Sequence, residues 1–556
     1  MKKPPAAKAS VALLLVTLAL AFAPAAAARD RQPPSPAGSG SEVWITLGQD
    51  VFDQVRREPA ALGPGIRLES HGADHGVVMS RVDAGSLEAL SSFIHTKVNR
   101  CPGFMVHDSR EEAARAVAAA RDSVLGIPLP VELVIDQQAT VQQLLPTVVE
   151  ANVLSTITHL STAYVNRYYQ NPTGEASAQW IRDLWAGYAG ARLGAGVTVE
   201  LYDHPTYLQP SVILTIAGSK HPEQIVVLGG HLDSIRSGGT TATTSAPGAD
   251  DNASGIASLS EAIRVLMSGN HVPERTIKFI GYAAEEVGLR GSKEIAEEHA
   301  EAGELVVGVL QLDMTAFHGS AEDIALVDDF TSGPLNDFVG ELLDTYQPEV
   351  LWTTTTCGYG CSDHASWTQE GYPAAMPHEA KVAQNNNAIH SATDTLATLG
   401  NSAAHAVKFA RLALTFAIEA GSGGGEPVPF PAETLFNGSP LLVSAAAGDR
   451  LYFKIAVPEG ATNLRFTTTG ATGDADLYVR FELVPTEDNS DCESTGPNSN
   501  ETCAIAPAQA GIYYVLVHAF SAFTNLSVAA SFTPLPVLFA DGFESADTAA
   551  WSTVIP

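Results

Sequence analysis

Five short segments of this 556-residue chain carry metal-ligand residues in ordered succession: Gly229-Gly-His231-Leu-Asp233, Gly248-Ala-Asp-Asp251-Asn-Ala-Ser-Gly255, Ala284-Glu285-Glu286, Gln311-Leu-Asp313 and Ile389-His390-Ser391. Any one of them alone reads as a cap or a surface hydrogen-bonding group; Asp251, for instance, precedes a helix and could simply favour its N-terminus. Together they point to a cation. Glu285 and Glu286 stand side by side after an apolar run, and burying both without a positive partner would raise a pKa steeply. Histidine and carboxylate without cysteine suit zinc in a catalytic site. Two ions need two terminal sets and one shared group: His231 with Asp313, Glu286 with His390, and Asp251 between them. Each ion then has three protein ligands and an open position, and Asp233 can accept the other ring N–H of His231.

Residues spread over some 160 positions converge only if the fold gathers them, and an open α/β sheet does so beyond the carboxyl ends of its strands. From about Gln137 to Glu419 apolar strand runs alternate with amphipathic helices. The expected strands are Ser211–Ile216, Gln224–Gly229, Thr276–Ala283, Val306–Leu312 and Ala374–Pro377. The expected helices are Ser177–Gly190, Ala253–Met267, Ser292–His299, Leu335–Tyr346 and Ser402–Ile418. Such alternation predicts an α/β fold with a mainly parallel central sheet flanked by helices.

The rest of the chain divides around that region. Residues 1–28 pass from Lys2, Lys3 and Lys8 through apolar Val11–Phe22 to Ala26-Ala27-Ala28, the order of a secretory signal peptide. Within residues 29–136, Pro/Gly/Ser-rich 31–41 make a linker, and the segment from about 42 to 135 mixes strand-like and helical pieces without a cluster of catalytic residue types. An α+β pro-segment removed after export explains this, and so does an ordinary N-terminal domain. The catalytic region spans 137–421; a Gly- and Pro-rich linker covers 422–433. Period-two runs at Arg450–Val457, Asn463–Thr468, Asp476–Arg480, Ile512–His518 and Asn525–Phe532 predict a small β-sandwich over 434–533, with a separate tail at 534–556. No later segment reaches the length of a membrane span. With 31 basic against 62 acidic residues, a formal charge of −31 would repel nucleic acid. In an oxidising compartment Cys357 with Cys361, and Cys492 with Cys503, can each close a short loop as a disulfide, leaving Cys101 over. A metal-binding role for Cys357 and Cys361 is the alternative, weakened by the lack of a second such pair.

The motifs His231-Leu-Asp233, Gly248 to Gly255, Ala283-Ala-Glu-Glu-Val-Gly-Leu-Arg-Gly291, Gln311-Leu-Asp-Met314, Cys357-Gly-Tyr-Gly-Cys-Ser-Asp-His-Ala-Ser-Trp367 and Ile389-His390 together resemble the bacterial secreted leucyl aminopeptidases of the co-catalytic zinc exopeptidase family. The resemblance covers about residues 137–420. It implies two zinc ions per catalytic domain with the ligand set given above, Glu285 as general base, Tyr359 as a group that holds the substrate carbonyl, and a cis peptide bond after Asp251. Peptide and protein N-termini would be the substrates, acted on by a monomer. The side-chain pocket falls at Met376, His378, Val382 and Ile389; some leucine-preferring relatives place bulky aromatics in this stretch, so a wider or more polar pocket is expected. Residues from about 434 to 533 resemble the bacterial pre-peptidase C-terminal domain through Gly473-Asp-Ala-Asp-Leu-Tyr-Val479 and Gly511-Ile-Tyr-Tyr-Val-Leu-Val-His518. Related zinc carboxypeptidases, single-zinc cyclases and a catalytically silent binding protein are the competing readings.

Overall fold

The computed structural model describes residues 42–58, 68–97, 103–423 and 433–534, apart from 126, 128, 459, 471, 482–483 and 486–489. The expected signal peptide, Cys101, most of the 422–433 linker and nearly all of the tail lie outside the described residues.

The N-terminal unit comprises β1 Glu42–Gly48, α1 Gln49–Arg57, β2 Gly72–Asp74, β3 Val77–Asp83, α2 Leu87–Lys97, β4 Phe104–His107 and α3 Arg110–Leu125. Its strands form an antiparallel sheet in the order β2-β3-β1-β4. In α2 the apolar residues Leu87, Leu90 and Ile94 recur at helical spacing and join the core of this unit with Ile45, Leu47 and Phe52. The polar face of α2, with Ser91, Ser92 and His95, is left toward the neighbouring unit.

That neighbour holds helices α4 Gln138–Leu144, α5 Glu150–Thr162, α6 Pro172–Ala189, α7 Ala253–Ser268, α8 Arg290–Glu301, α9 Gly333–Tyr346, α10 His364–Gln369 and α11 Ala404–Ala420. Its strands are β5 Val197–Tyr202, β6 Ser211–Ile216, β7 His221–His231, β8 Arg275–Tyr282, β9 Leu305–Gln311, β10 Ile324–Val327, β11 Trp352–Thr355, β12 Ala374–Ala375 and β13 Pro377–His378. The central sheet has the order β12-β9-β7-β8-β6-β5. Four strands, β12, β9, β7 and β8, run parallel, and β6 and β5 continue antiparallel at one edge. A second sheet, β11-β10-β13, stands apart. Along β7, Val226 and Leu228 pack into one core with α7 and α11, while Ile225 and Val227 pack on the other face with Ile295 of α8 and Trp367 of α10. An unbroken apolar strand is thus what a sheet covered on both sides requires. Leu129 and Val131 also join the first of these cores.

Strands β5, β10 and β11 and helix α5 were not among the expected elements. Helix α5 is rich in Val, Ile and Thr, which disfavour helix; its buried positions Val153, Thr156, Ile157 and Leu160 nevertheless follow helical spacing. The expected strand Ala374–Pro377 splits into β12 and β13, which belong to different sheets.

The C-terminal unit contains β14 Glu433–Thr434, β15 Leu441–Ala445, β16 Arg450–Val457, β17 Thr462–Thr469, β18 Thr472–Phe481, β19 Cys492–Ser494, β20 Thr502–Ile505 and β21 Gly511–Thr533. The two strands expected at 512–518 and 525–532 are one continuous 23-residue strand. Its first half pairs with β16 and β18, its second with β15 and β17. Both halves contribute to one core, Val515 and Val517 from the first and Leu526 and Val528 from the second. A single sheet rolled into a nearly closed barrel therefore replaces the expected sandwich of separate sheets. Both close cysteine pairs, Cys357–Cys361 and Cys492–Cys503, are disulfides.

Helix α7 crosses the strand ends at its Gly255, where a Cβ would lie 2.3 Å from the Leu312 carbonyl oxygen. Backbone cannot yield there as a side chain would. Gly255→Ala is expected to destabilise the chain by about 1–3 kcal/mol, read as a lower midpoint in chemical denaturation; an unchanged midpoint would show that the helix has room to move.

Candidate active site

The expected ligands gather at the carboxyl ends of parallel strands. His231 closes β7, Asp251 lies just before α7, Glu285 and Glu286 follow β8, and Asp313 follows β9. His390 comes from the long connection before α11 and adopts a left-handed backbone, φ +53°. None of the six is more than 3% exposed. Asp251 stands between the histidines: one oxygen is 3.0 Å from His231 Nε2, the other 3.0 Å from His390 Nε2. Asp313 Oδ1 lies 3.2 Å from His231 Nε2, and Glu286 Oε2 lies 3.1 Å from His390 Nε2. Yet His390 Nε2 makes no hydrogen bond. At contact distance from two carboxylate oxygens and aligned with neither, it and they converge on a common point, as ligands around a cation do. Among the described residues two groups could hold a metal: His231, Asp251 and Glu286, and His95, Glu286 and His390. The donor set fits zinc, being imidazole and carboxylate alone.

The electrostatics agree. Burial works against a charged imidazole at His390, but Glu286 and Asp251 outweigh it and push its pKa up to about 10. A bound cation would relieve those carboxylates and let the ring act as a neutral donor. Burial lifts the Glu285 carboxyl well above the usual range, with Glu286 and Asp313 adding to the lift against the pull of His231. Glu286 goes the opposite way, because His390 and His95 more than offset its burial.

A layer of hydrogen bonds sets the expected ligands. The Asp251–Asn252 peptide bond is cis, as the resemblance implied. Asn252 donates from Nδ2 to the Leu312 carbonyl at 2.9 Å and accepts at Oδ1 from the Met314 N–H at 3.3 Å, so its amide grips the backbone on both sides of Asp313. Asp394 accepts from the backbone N–H groups of Asp250 and Asp251, each at 3.1 Å. Arg167 donates to the carbonyls of Leu232, Pro247 and Gly248, tying the His231 and Asp251 loops together. Ser362 donates to Asp313 Oδ2 at 2.7 Å. Asp233 lies 3.4 Å from His231 Nδ1, but its hydrogen bonds are to the backbone N–H groups of Glu285 and Glu286, at 3.0 and 3.2 Å. It therefore orients the glutamate pair more directly than the imidazole.

Tyr359, Met376 and the Cys357–Cys361 disulfide share one buried cluster with Val327, and Val382 packs against it. His378 is buried and turns Nδ1 to the Ala380 carbonyl at 2.7 Å; Ile389 is buried next to His390 in sequence. Arg167, Asn252, Asp394 and Ser362 were not among the expected site residues, and neither was His95. Asn252 and Ser362 lay inside quoted motifs, but Arg167, Asp394 and His95 carry no local signal.

Residues 211–415 match Peptidase family M28, and residues 449–519 match the bacterial pre-peptidase C-terminal domain. A probable leucine aminopeptidase of Arthroderma otae is 37% identical over 289 residues, covering 51% of this chain and 77% of that protein. A probable aminopeptidase of Saccharomyces cerevisiae is 35% identical over 267 residues, covering 47% of this chain and 70% of its own length. The LapA aminopeptidase of Legionella pneumophila superimposes with a TM-score of 0.57 at 26% identity, covering 70% of this chain and 100% of that one. The likeness extends to fungal enzymes and is not confined to the bacterial group that the motifs resemble. On the strength of these relatives and of the ligand cluster at its strand ends, the chain belongs to peptidase family M28.

Proposed function

We propose that this chain, a metallo-aminopeptidase of peptidase family M28, removes the N-terminal residue, leucine or another apolar one, from peptides and proteins, using two zinc ions. One observation carries the reading: Asp251 offers one oxygen to the His231 side and the other to the His390 side, each at 3.0 Å. A carboxylate so placed serves two metal positions, where a cyclase needs one. His231 and Asp313 complete one position, Glu286 and His390 the other. Zinc bound there supplies Lewis acidity, which lets water ionise near neutral pH and polarises a carbonyl.

The proton work falls to Glu285. Burial destabilises its anion, which makes it a stronger base than a solvated carboxylate. Its Oε2 lies 3.9 Å from His231 Nε2, so it stands beside the ligands without replacing one. The carboxylate takes a proton from the attacking water and returns it to the leaving amine nitrogen. Asp233, holding the backbone N–H groups of both glutamates, keeps that oxygen in place. Tyr359 donates its phenolic hydrogen to the substrate carbonyl oxygen as negative charge builds there. Met376 and Val382, clustered with Tyr359, support an apolar side-chain pocket, of which His378 and Ile389 are the proposed further members. The basic-then-apolar segment 1–28 and the two disulfides support export; a monomer with 29–136 as its pro-segment completes the proposal.

Leucine p-nitroanilide is expected to be cleaved by the processed protein and its N-acetyl derivative left intact. Chelation should abolish cleavage and added zinc restore it; equal turnover of the two substrates would sink the aminopeptidase reading. In a panel of aminoacyl anilides, Leu and Met are expected to exceed Lys and Glu in kcat/KM, whereas a preference for charged residues would remove Met376 and Val382 from the pocket. Glu285→Gln should keep its zinc and lose about 10²–10⁴-fold in kcat; near-normal kcat would refute its role as the base.

A further inference from the structure

Helix α2 of the N-terminal unit delivers a histidine to the ligand cluster. His95 is 2% exposed. Its Nε2 lies 3.6 Å from Glu286 Oε2, and its ring stands edge-on to that of His390 with centroids 4.2 Å apart. Like His390 Nε2, this nitrogen makes no hydrogen bond. On the other side of the ring, Nδ1 is 3.1 Å from Ser91 Oγ, one turn back, and that hydroxyl is 3.4 Å from the Glu286 carbonyl oxygen. A carbonyl only accepts, so the hydroxyl proton goes to it and Ser91 Oγ accepts from the Nδ1–H. The tautomer left by this relay carries its lone pair on Nε2, and a metal-binding imidazole is held in the same way by a partner on its far nitrogen.

Tetrahedral zinc with bonds of about 2.0–2.1 Å sets neighbouring ligand atoms about 3.4 Å apart. The separations of Glu286 Oε2 from His390 Nε2, 3.1 Å, and from His95 Nε2, 3.6 Å, bracket that value. We propose, resting on the two-zinc reading above, that in the uncleaved chain His95 is a ligand of the ion held by Glu286, His390 and Asp251. It fills, as a neutral nitrogen donor, the position that catalysis must keep open for a substrate amine or water. Four protein ligands make a closed, structural type of zinc site and three make a catalytic one; a single side chain on a removable unit separates the two.

The surrounding contacts hold His95 in register. Ser92 Oγ accepts from the Gly238 N–H at 3.1 Å, and the Val106 N–H reaches the Gly288 carbonyl at 3.4 Å. Lys293 of α8 lies 3.3 Å from Asp108 and 3.2 Å from Glu112. Gly288, at φ +105°, lies so near Val106 that a Cβ would come within 2.7 Å of its side chain.

The test uses the zinc-loaded, uncleaved chain, its mass confirmed, beside His95→Gln, His95→Ala and Ser92→Ala. Zinc X-ray absorption is expected to count three histidine nitrogens in the wild type and two in either His95 variant. A chelator should strip one zinc about tenfold faster or more from those variants. Ser92→Ala, which loosens the contact without removing a ligand, should keep all three nitrogens. An unchanged nitrogen count in both His95 variants overturns the assignment, whatever happens to activity. Failure of the two-zinc reading is a separate result: the wild type would take up fewer than two zinc ions. A lone ion that still loses one nitrogen in the His95 variants would uphold the role of His95, and one that does not would end it.

Discussion

The constraint on which the rest of the structure depends is the concentration of buried negative charge at the ends of β7, β8 and β9. Asp233, Asp251, Glu285, Glu286, Asp313 and Asp363 are all within 2% of complete burial, where an isolated carboxylate is costly. Burial, with Asp313 and Asp233 adding to it against the pull of His231, pushes Asp363 up to about 7. The buried cation nearby, Arg167, has its own pKa pulled down to about 10 by burial, and its donors go to backbone carbonyls rather than to the carboxylates. Such a cluster is stable as anions only with further positive charge inside it. Histidines facing carboxylates from both sides of Asp251 mark where that charge belongs.

Precise ligand placement then becomes a backbone problem, since most of these residues sit on connections rather than within strands. The chain solves it with side chains that accept or donate across loops. Asn252 couples the Asp251 loop to the Asp313 loop; Asp394 holds the Asp251 loop by two N–H groups; Asp233 holds the glutamate pair in the same way. The close approach of Gly255 to Leu312 belongs to the same design. A helix allowed to lie against the strand ends brings Asn252 within reach of both neighbours of Asp313. Fold and site are therefore one system of distances, and Asn252, Asp394 and Asp233 decide where Asp251, Asp313 and the glutamate pair stand.

Much of this was legible in the sequence because ligand residues at strand ends break an apolar run with a charged one. His231, Glu285 with Glu286, and Asp313 stand out for that reason, and the alternation of strands and helices supplies a sheet to gather them. Short strands such as β10 and β11 offer too few residues for a period to register. Strand β21 read as two because Phe520 to Thr524 interrupts the alternation, yet the backbone stays paired across the interruption with β15 and β18. Arg167 and Asp394 were invisible because their value lies in which loop they touch. A buried arginine donating to carbonyls leaves no motif.

His95 is the instructive omission. In sequence it is one polar residue on a helix whose apolar stripe, Leu87, Leu90 and Ile94, explains the segment completely as part of a small core. The spacing that buries this stripe also turns Ser91 and His95, four residues apart, to its flank, where they meet Glu286. Helical geometry alone thus makes the same eleven-residue element both a core helix for its own unit and a probe into its neighbour's ligand cluster. A site that needs cations to balance its charge is also one that a neutral nitrogen donor can enter without a charge penalty, whereas a carboxylate would be repelled and an ammonium would compete with a bound cation. Histidine is the side chain that satisfies both demands, and it is held in place by a junction that is part polar, Ser92 with Gly238 and Lys293 with Asp108 and Glu112, and part apolar, Val77, Met105 and Ala120 packing with Leu289, Phe330 and Ala365.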